Sequence, residues 1–495
     1  MPAVRKQDNL IQLIHSLTPS EKKHFRQYIA EGETGKDYAK LFDTLQKADH
    51  YDAEALSREL KKSKKNLADD KEYLQEILLR SLNNFHAQTM YKARVFNGII
   101  ETNILAAKGL VHFALAHIRK IKKGMLTGDE DILYYQALAL EANLVSAITP
   151  GGLKENEWAK KTGDELVSRL EAGALNNRMV SLSSRIQDLS ADIKYIENKA
   201  VQKEARQLME EATRLAKGKK LPSRIYMNYH NLLSQYYFFL GVDTRLAMQN
   251  VRKVIERYES ETKDFKQFYA YLYCDCYTDL LQCVFELREY NEVGHCIEKL
   301  KEIAAQKISR QVQIRAERRI FHFSVLLRTA TGEHEKALKF IEANIAAYKE
   351  LTSTDEDLAL VELLKAINLF HLQRYDEALS VLLPLLSSDA PSQLPETRIS
   401  ARALNLMIQY EIGNLASLPN YLRAAQRFFT NEGLMTREVT IFLKLMRHLH
   451  KHSARAPLAE FQKNFEEVYS AHRFEIIGYF VIWPWLSRLA KKKKP

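Results

Sequence analysis

Residues 358–386 read LALVELLKAINLFHLQRYDEALSVLLPLL, and this stretch decides the fold. Leu360, Leu364 and Ile367 recur at intervals of three or four residues, which predicts the apolar face of a first helix. A short polar break at residues 373–374 separates that face from a second apolar series. Two acidic residues open the second series, where acidic side chains stabilise the positive end of a helix. The stretch therefore predicts two helices joined by a tight turn.

The second of these helices begins with the sequence Tyr-Asp-Glu-Ala at residues 375–378. Ala378 is small where two crossing helices must approach closely, and Leu379 and Leu382 continue the apolar face. This pattern resembles the helical hairpin of tetratricopeptide (TPR) repeats. A single hairpin cannot bury both of its faces, so the resemblance implies neighbouring hairpins stacked into an array. The function that the resemblance implies for such an array is binding.

Similar hairpins recur along the chain. We align them on the small or apolar residue that begins each second helix: Ala114, Ala159, Ala200, Leu246, Val293, Ala337, Ala378 and Leu418. Successive positions are 40 to 47 residues apart, a near-constant step of the kind that stacked helical pairs produce. The step exceeds the roughly 34 residues of a TPR. The hairpins are therefore predicted to be TPR-like, with longer helices or turns.

These patterns predict an all-α protein, a right-handed α-solenoid of TPR-like hairpins with helical caps at both ends. Residues 91–455 are predicted to form the repeat array, and residues 456–495 to form C-terminal capping helices with a basic tail. We interpret residues 1–90 as an N-terminal helical capping module. A helix-turn-helix-like module is the alternative interpretation. In that case the adjacent polyanion contact would consist of Lys61, Lys62, Lys64 and Lys65.

Composition excludes several classes of protein. Apolar residues form 46% of the 495 residues, enough for an extensive core, while 17 Gly and 11 Pro are too few for a β-rich or disordered chain. The N-terminal stretch lacks the continuous apolar core of a signal peptide, and no run reaches the roughly 18 apolar residues that cross a bilayer. Four cysteines in so long a chain argue against a disulfide framework. We therefore expect a cytoplasmic protein without a transmembrane segment.

The charge distribution keeps several kinds of partner open. The net charge is +11, but 62 acidic residues offset 73 basic ones. Basic residues cluster at residues 61–65, 119–123, 217–220, 315–319 and 491–494. Each cluster taken alone is typical of a solvated face or tail. Together they keep nucleic acid, the ribosome or an acidic protein open as a partner.

No motif in the sequence indicates catalysis. The chain contains no Walker-type phosphate loop, no GxGxxG and no GxSxG. The cysteines follow the spacing C-x-C-x6-C-x12-C, which matches none of the paired patterns of zinc sites, and we predict that they are core residues. His448 and His452 lie one helical turn apart, but no HExxH motif or nearby acid accompanies them. We therefore expect no enzymatic activity, no cofactor and no metal.

The best functional signal is a cluster of tyrosines, since ten of the 24 lie between Tyr226 and Tyr290. In proteins that this fold resembles, the first helices of successive hairpins line a concave groove for an extended peptide or a partner helix. A groove with Tyr, Asn and Arg side chains suits an acidic, extended ligand. The predicted groove residues are Asn228, Tyr229, Asn231, Tyr236, Tyr269, Tyr273, Tyr277, Arg315, Arg318, Arg319 and His322. In the alternative interpretation, the tyrosines pack between helices with their hydroxyl groups satisfied at the rim.

Three functional hypotheses remain. The first is a non-enzymatic scaffold or adaptor that binds a peptide or helical segment of a partner in the concave groove. The alternative is a nucleic-acid-associated regulator that uses the N-terminal module and the basic clusters, with the repeats sensing a partner. The third and least supported is a peripheral membrane adaptor held by Trp483, Trp485 and the basic tail.

Overall fold

The computed structural model contains only helices, turns and loops in the residues that it describes, with no strand among them. This confirms the all-α prediction. The described residues are 8–30, 35–48, 53–60, 62–87, 90–125, 132–148, 153–193, 199–240, 243–306, 309–351, 355–386, 395–435, 437–452, 458–471 and 482–491.

The chain divides into two compact units, Met1–Leu170 and Glu171–Pro495. The predicted domain boundaries near residues 90 and 455 stay predictions. The first unit begins with α1 (Asn9–Ser16), α2 (Pro19–Ala30), α3 (Gly35–Lys47), α4 (Ala53–Leu60) and α5 (Lys64–His86). These five helices share one core of buried Leu, Ile and Phe side chains, which includes Phe25 and Phe42.

A reciprocal pair of hydrogen bonds fixes the start of α2. The Thr18 backbone N–H donates to Glu21 Oε2 at 2.7 Å, and the Glu21 backbone N–H donates to Thr18 Oγ1 at 3.3 Å. This capping box satisfies two of the backbone donors that a helix N-terminus leaves unpaired. The helix therefore begins at Pro19, a position that tolerates the missing proline N–H.

Three further helices form a second core in the first unit. They are α6 (Tyr91–Ala107), α7 (Val111–Lys123) and α8 (Ile132–Ile148), and each packs against the other two. α6 and α7 approach closely at Gly98, where an added Cβ would lie 2.4 Å from Ile121 Cδ1. Only glycine fits at this crossing without a shift of the isoleucine.

One long helix, α9 (Leu153–Ile193), follows and runs for 41 residues. The repeat alignment requires two helices between Ala159 and Ala200, so its prediction of a turn within α9 is wrong. The interval 153–193 contains no proline and only two glycines. With so few helix-breaking residues, nothing in the local sequence stops the helix.

The remaining helices belong to the second unit. They are α10 (Lys199–Ala216), α11 (Ser223–Phe239), α12 (Thr244–Glu259), α13 (Lys263–Phe268), α14 (Ala270–Glu286), α15 (Tyr290–Ala305), α16 (Arg310–Ala330), α17 (His334–Leu351), α18 (Asp355–His371), α19 (Tyr375–Leu386), α20 (Pro395–Glu411), α21 (Leu418–Asn431), α22 (Arg437–His452), α23 (Leu458–Ala471) and α24 (Trp483–Lys491). The hairpin predicted at residues 358–386 is confirmed as α18 and α19.

Helix packing in the second unit is that of an α-solenoid. From α14 to α23, each helix packs against the next one along the chain. The first helices of successive hairpins also contact one another, from α14 to α16, α18, α20 and α22. This second set of contacts creates a layer of first helices, which we call the first-helix layer. Val293, Ala337 and Ala378 are fully buried near the start of the second helices, as the alignment predicts.

The turns inside four hairpins share one backbone conformation. Arg288, Gly332, Gln373 and Gly413 have φ between 61° and 77°, and each lies five residues before the aligned residue of its hairpin. After each, the next backbone N–H bonds back into the first helix, as when Arg374 N–H donates to Leu369 O at 3.0 Å. This is the Schellman arrangement that ends helices. The repeat is therefore visible in the backbone as well as in the sequence.

The C-terminal helix α24 is anchored by one aromatic side chain. Trp485 is fully buried, its Nε1 donates to Glu411 Oε1 at 2.6 Å, and its ring meets Tyr410 edge-on at 5.9 Å. These contacts place Trp485 in the core and not at a lipid surface. Within the described ranges, no helix has the length and apolar character needed to span a bilayer.

Candidate functional site

A polar cavity of about 450 Å³ opens in the second unit, where residues of α9 and α11 meet the first-helix layer. Residues of five helices line it, and none of these helices is the second helix of a hairpin. The lining residues are Gln187 on α9, then Asn231, Gln235 and Phe239 on α11, then Leu272, Asp275, Cys276, Thr278, Asp279 and Gln282 on α14, then Arg315, Arg318, Arg319 and His322 on α16, and Asp357 on α18.

Five of the eleven predicted groove residues meet in this cavity. They are Asn231, Arg315, Arg318, Arg319 and His322. The arginines and the histidine lie three or four residues apart on α16, so they share one face of that helix. Their role in binding a partner stays a prediction.

Two of the cavity arginines already have carboxylate partners from other helices. Arg315 Nη1 donates to both carboxylate oxygens of Asp275, each at 2.9 Å, and Arg318 forms an ion pair with Asp357. Such pairs neutralise both guanidinium groups. An acidic ligand would therefore have to compete with Asp275 and Asp357 for them. The sequence did not indicate these acidic residues as site residues.

Arg319 and Asp279 are the charged groups of the cavity that lack such partners. Neither side chain makes a hydrogen bond or salt bridge to another described residue, although the two interact electrostatically. Burial raises the pKa of Asp279 to about 7, helped by the nearby charge of Asp275 and opposed by Arg319. A partly buried carboxyl group with this pKa can donate or accept a hydrogen bond near neutral pH.

Amide side chains complete the polar lining. Asn231 and Gln282 make no side-chain hydrogen bond within the described part of the chain, and both face the cavity. Gln235 differs, because its Oε1 accepts a hydrogen bond from Ser183 Oγ at 2.5 Å. Amide groups can both donate and accept, which matches the alternating donors and acceptors of a peptide backbone.

His322 is the buried end of the cavity wall. A hydrogen bond of 2.7 Å joins its Nε2 to the hydroxyl group of Tyr348. Burial lowers the pKa of His322 to about 4, and the neighbouring Arg319 adds to this effect. The imidazole is therefore neutral at physiological pH and contributes no positive charge to the site.

The tyrosine stripe on α14 faces away from the cavity. Tyr277 lies about 160° around the helix from Asp279. Tyr269 and Tyr277 are buried in the core, and the Tyr273 hydroxyl group donates to Glu259 Oε1 at 2.6 Å. These side chains pack on the preceding hairpin, which matches the alternative interpretation of the tyrosines.

The other predicted groove residues of α11 pack against α9 or in the core that α11 shares with α9 and α10. Asn228 is buried, and its Nδ2 donates to Asn176 Oδ1 on α9 at 2.6 Å. Tyr236 is buried and Tyr229 partly buried in the apolar core that α9, α10 and α11 share. The cavity therefore receives Asn231 from this group, but not its aromatic neighbours.

The predicted polyanion contact lies in the first unit. Lys61 and the side chain of Lys64 lie outside the described residues. Lys62 Nζ donates to Asp70 Oδ2 at 2.7 Å, in a partly buried ion pair, and Lys65 is exposed. The polyanion contact of Lys61, Lys62, Lys64 and Lys65 stays a prediction.

The cysteines considered for metal binding lie in the core of the second unit. Cys274, Cys276, Cys283 and Cys296 are all buried free thiols, as predicted for core residues. The part of the chain that the structure describes contains no group of three or more His, Cys, Asp or Glu side chains arranged to hold a metal ion.

Replacing Asp279 with asparagine is expected to change how the stability of the second unit depends on pH. The unfolded carboxyl group ionises near its ordinary pKa of about 3.9, whereas the folded protein retains the proton up to about pH 7. The native state binds the extra proton in this window, so its stability falls as the pH rises through it. Asparagine cannot ionise. A pKa difference of about three between the two states corresponds to about 4 kcal/mol, which the partial exposure of the carboxyl group to solvent reduces. Between about pH 4 and pH 8, Asp279→Asn should therefore gain on the order of 2 kcal/mol relative to wild type.

Urea unfolding followed by circular dichroism at several pH values would measure this effect. Asp188→Asn, at an exposed carboxylate on α9, is the matched control and should follow the wild-type profile. Parallel profiles for Asp279→Asn and wild type would show that Asp279 ionises normally in the fold.

No protein family and no curated protein matches the sequence. Among solved structures, the crystal structure of the P58(IPK) TPR domain matches at 13% identity, over 81% of this chain and 99% of that chain, with a TM-score of 0.19. The successive hairpins and the contacts between their first helices carry the assignment. The fold is a TPR-like α-solenoid. Its handedness and its caps stay predictions.

Proposed function

We propose that the protein is a non-enzymatic, cytoplasmic scaffold that binds a segment of a partner protein in the cavity of its first-helix layer. The observation that carries this proposal is the set of four polar side chains that face the cavity without a side-chain partner among the described residues. They are Asn231, Asp279, Gln282 and Arg319. They come from three successive first helices, so one extended ligand could contact all of them.

The chemistry of these groups favours a peptide over a small apolar molecule. Polar side chains that lack a partner within the protein are available to form hydrogen bonds with a ligand in place of solvent. The two amides suit a peptide backbone, while Arg319 suits an acidic side chain. Since Arg315 and Arg318 are already paired, attraction to an acidic residue depends mainly on Arg319.

Arg319→Glu is therefore expected to weaken partner binding at least tenfold, because the change replaces the unpaired cation with a charge that repels an acidic ligand and lies near Asp275 and Asp279. A tenfold loss corresponds to about 1.4 kcal/mol of binding free energy. Affinity purification from native lysate would identify the partner by mass spectrometry. Titration of the partner segment by calorimetry would then give the dissociation constants of wild type and variant.

Arg245→Glu is the matched control, because Arg245 is exposed on α12, a second helix, and its side chain makes no ion pair with a described residue. This control should bind the partner as wild type does. Equal affinity of Arg319→Glu and wild type, with helicity retained in both, would rule out the cavity as the binding site.

A further inference from the structure

The first unit carries an exposed apolar stripe on α6. Phe96, Ile100 and Ile104 follow one another at intervals of four residues, and their side chains are 51%, 45% and 51% exposed. The opposite side of the helix carries Val95 and Gly98, which are buried against α7 and α8. Residues four apart stand one above another on a helix. The three side chains therefore form a continuous ridge about 12 Å long.

A second group of exposed apolar side chains lies at the start of α7. Phe113 is 58% exposed, and its ring lies 6.5 Å from that of His117. His117 Nε2 in turn lies 3.0 Å from Glu101 Oε2, one residue along α6 from Ile100. Leu110, 48% exposed, precedes α7. We call this surface the α6–α7 face and define it by Phe96, Ile100, Ile104, Leu110 and Phe113.

Isolated exposed apolar side chains are normal on a protein surface, whereas a contiguous group of large ones indicates an interaction site. The buried core of this unit does not need these residues, since Val95, Ala114 and Ile118 already form the α6–α7 contact with α8. Exposure of these side chains lowers solubility and adds no packing to the core.

The charged residues of α6 and α7 are mainly positive. Residues 91–123 contain seven Lys or Arg residues and one acidic residue, Glu101. Arg119 and Lys122 are held by Glu141 on α8. Four other cations are exposed and form no ion pair with the described residues: Arg94, Lys108, Lys120 and Lys123. An occupant with acidic residues beside an apolar stripe would complement this surface.

We propose that the α6–α7 face docks an acidic amphipathic helix of a partner protein. A ridge of residues four apart is the surface that packs into the groove of a second helix. The central Glu101–His117 pair argues against an anionic membrane as the occupant, because a carboxylate is costly to bury in hydrocarbon. A partner helix can leave this pair at its polar edge. This site is independent of the cavity of the second unit.

Two synthetic peptides would test the proposal against the full-length chain. The first is a fluorescein-labelled helical peptide with leucines at positions i, i+4, i+7 and i+11 and glutamates at its flanking positions. The second replaces every glutamate with lysine. Fluorescence anisotropy should show that the acidic peptide binds at least tenfold more tightly than the basic one. Ile100→Glu should weaken binding of the acidic peptide at least tenfold.

Matched variants separate this surface from others. Leu383→Glu changes an exposed leucine on α19 and should leave binding unchanged, as should Arg319→Glu in the cavity. The double variant Arg94→Glu/Lys120→Glu keeps the apolar stripe and should reverse the preference toward the basic peptide. If Ile100→Glu fails to fold, this double variant still tests the proposal.

Three results would overturn the proposal. In the first, both peptides bind equally well or neither binds. In the second, a folded Ile100→Glu variant binds the acidic peptide as wild type does. In the third, the chain co-sediments with phosphatidylserine vesicles in a manner that Ile100→Glu abolishes, which would identify a lipid surface as the occupant.

Discussion

Replacing Trp485 with alanine is expected to lower the free energy of unfolding of the second unit by about 3–5 kcal/mol, the range for a fully buried aromatic residue. The indole ring has no exposed surface, and Leu486 and Leu489 beside it on α24 are also buried. The change would leave a cavity between α24 and α20. It would also remove the hydrogen bond from the indole Nε1 to Glu411 Oε1.

Urea unfolding monitored by circular dichroism would measure this loss. Trp485→Phe is the informative companion, since it keeps much of the ring volume but lacks the N–H donor, and we expect a smaller loss. Leu383→Ala, at an exposed position on α19, should change stability by less than about 0.5 kcal/mol. A loss below 1 kcal/mol for Trp485→Ala would contradict the docking of α24 on α20.

Glu141→Ala should have the second-largest effect, a loss of about 2–4 kcal/mol in the first unit. Its side chain is 3% exposed and accepts hydrogen bonds from Arg119 Nε and Lys122 Nζ, both at 2.7 Å. Removing one member of a buried ion pair leaves the other charge uncompensated. Lys122 is the more affected partner, because its side chain is 16% exposed whereas that of Arg119 is 45% exposed. The exposure of Arg119 keeps the expected cost below that of a fully buried triad.

Glu101→Ala provides the comparison, because Glu101 also pairs with a base on α7 but its side chain is 62% exposed. An exposed pair contributes about 0–1 kcal/mol, so this change should be close to neutral. Differential scanning calorimetry can follow both variants. A Glu141→Ala protein as stable as Glu101→Ala would show that the buried carboxylate does not hold α7 to α8.

Helical periodicity predicted the repeat array where sequence signals were strong. The α18–α19 hairpin was predicted from the spacing of leucines and from a Tyr-Asp-Glu-Ala start. The turn inside this hairpin contains Gln373 at φ 61°, so a non-glycine residue occupies the position that Gly332 and Gly413 hold in the neighbouring hairpins. The alignment failed at α9. There the aligned residue Ala159 indicates a helix start, but no residue in the interval ends the helix.

The residues of the cavity could be predicted only in part from helical spacing. Spacing shows which residues share a helix face, but it does not show which face points to the core. On α14, Tyr273 and Tyr277 form one stripe, and Asp275 and Asp279 form another at the same interval of four residues. The tyrosine stripe packs in the core, while the acidic stripe faces the cavity. The available signal was the pair of carboxylates four residues apart on α14, together with the basic residues at the same spacing on α16.

The four buried cysteines make the second unit suitable for site-selective labelling without prior removal of its native thiols. Burial raises the pKa of each thiol, so little reactive thiolate is present in the folded protein. A fluorophore maleimide should therefore react with a cysteine introduced at the rim of the cavity, such as Gln282→Cys, well before it reacts with the native ones. The same native thiols would become reactive when α14 or α15 opens, so their modification rate would report local unfolding of this hairpin.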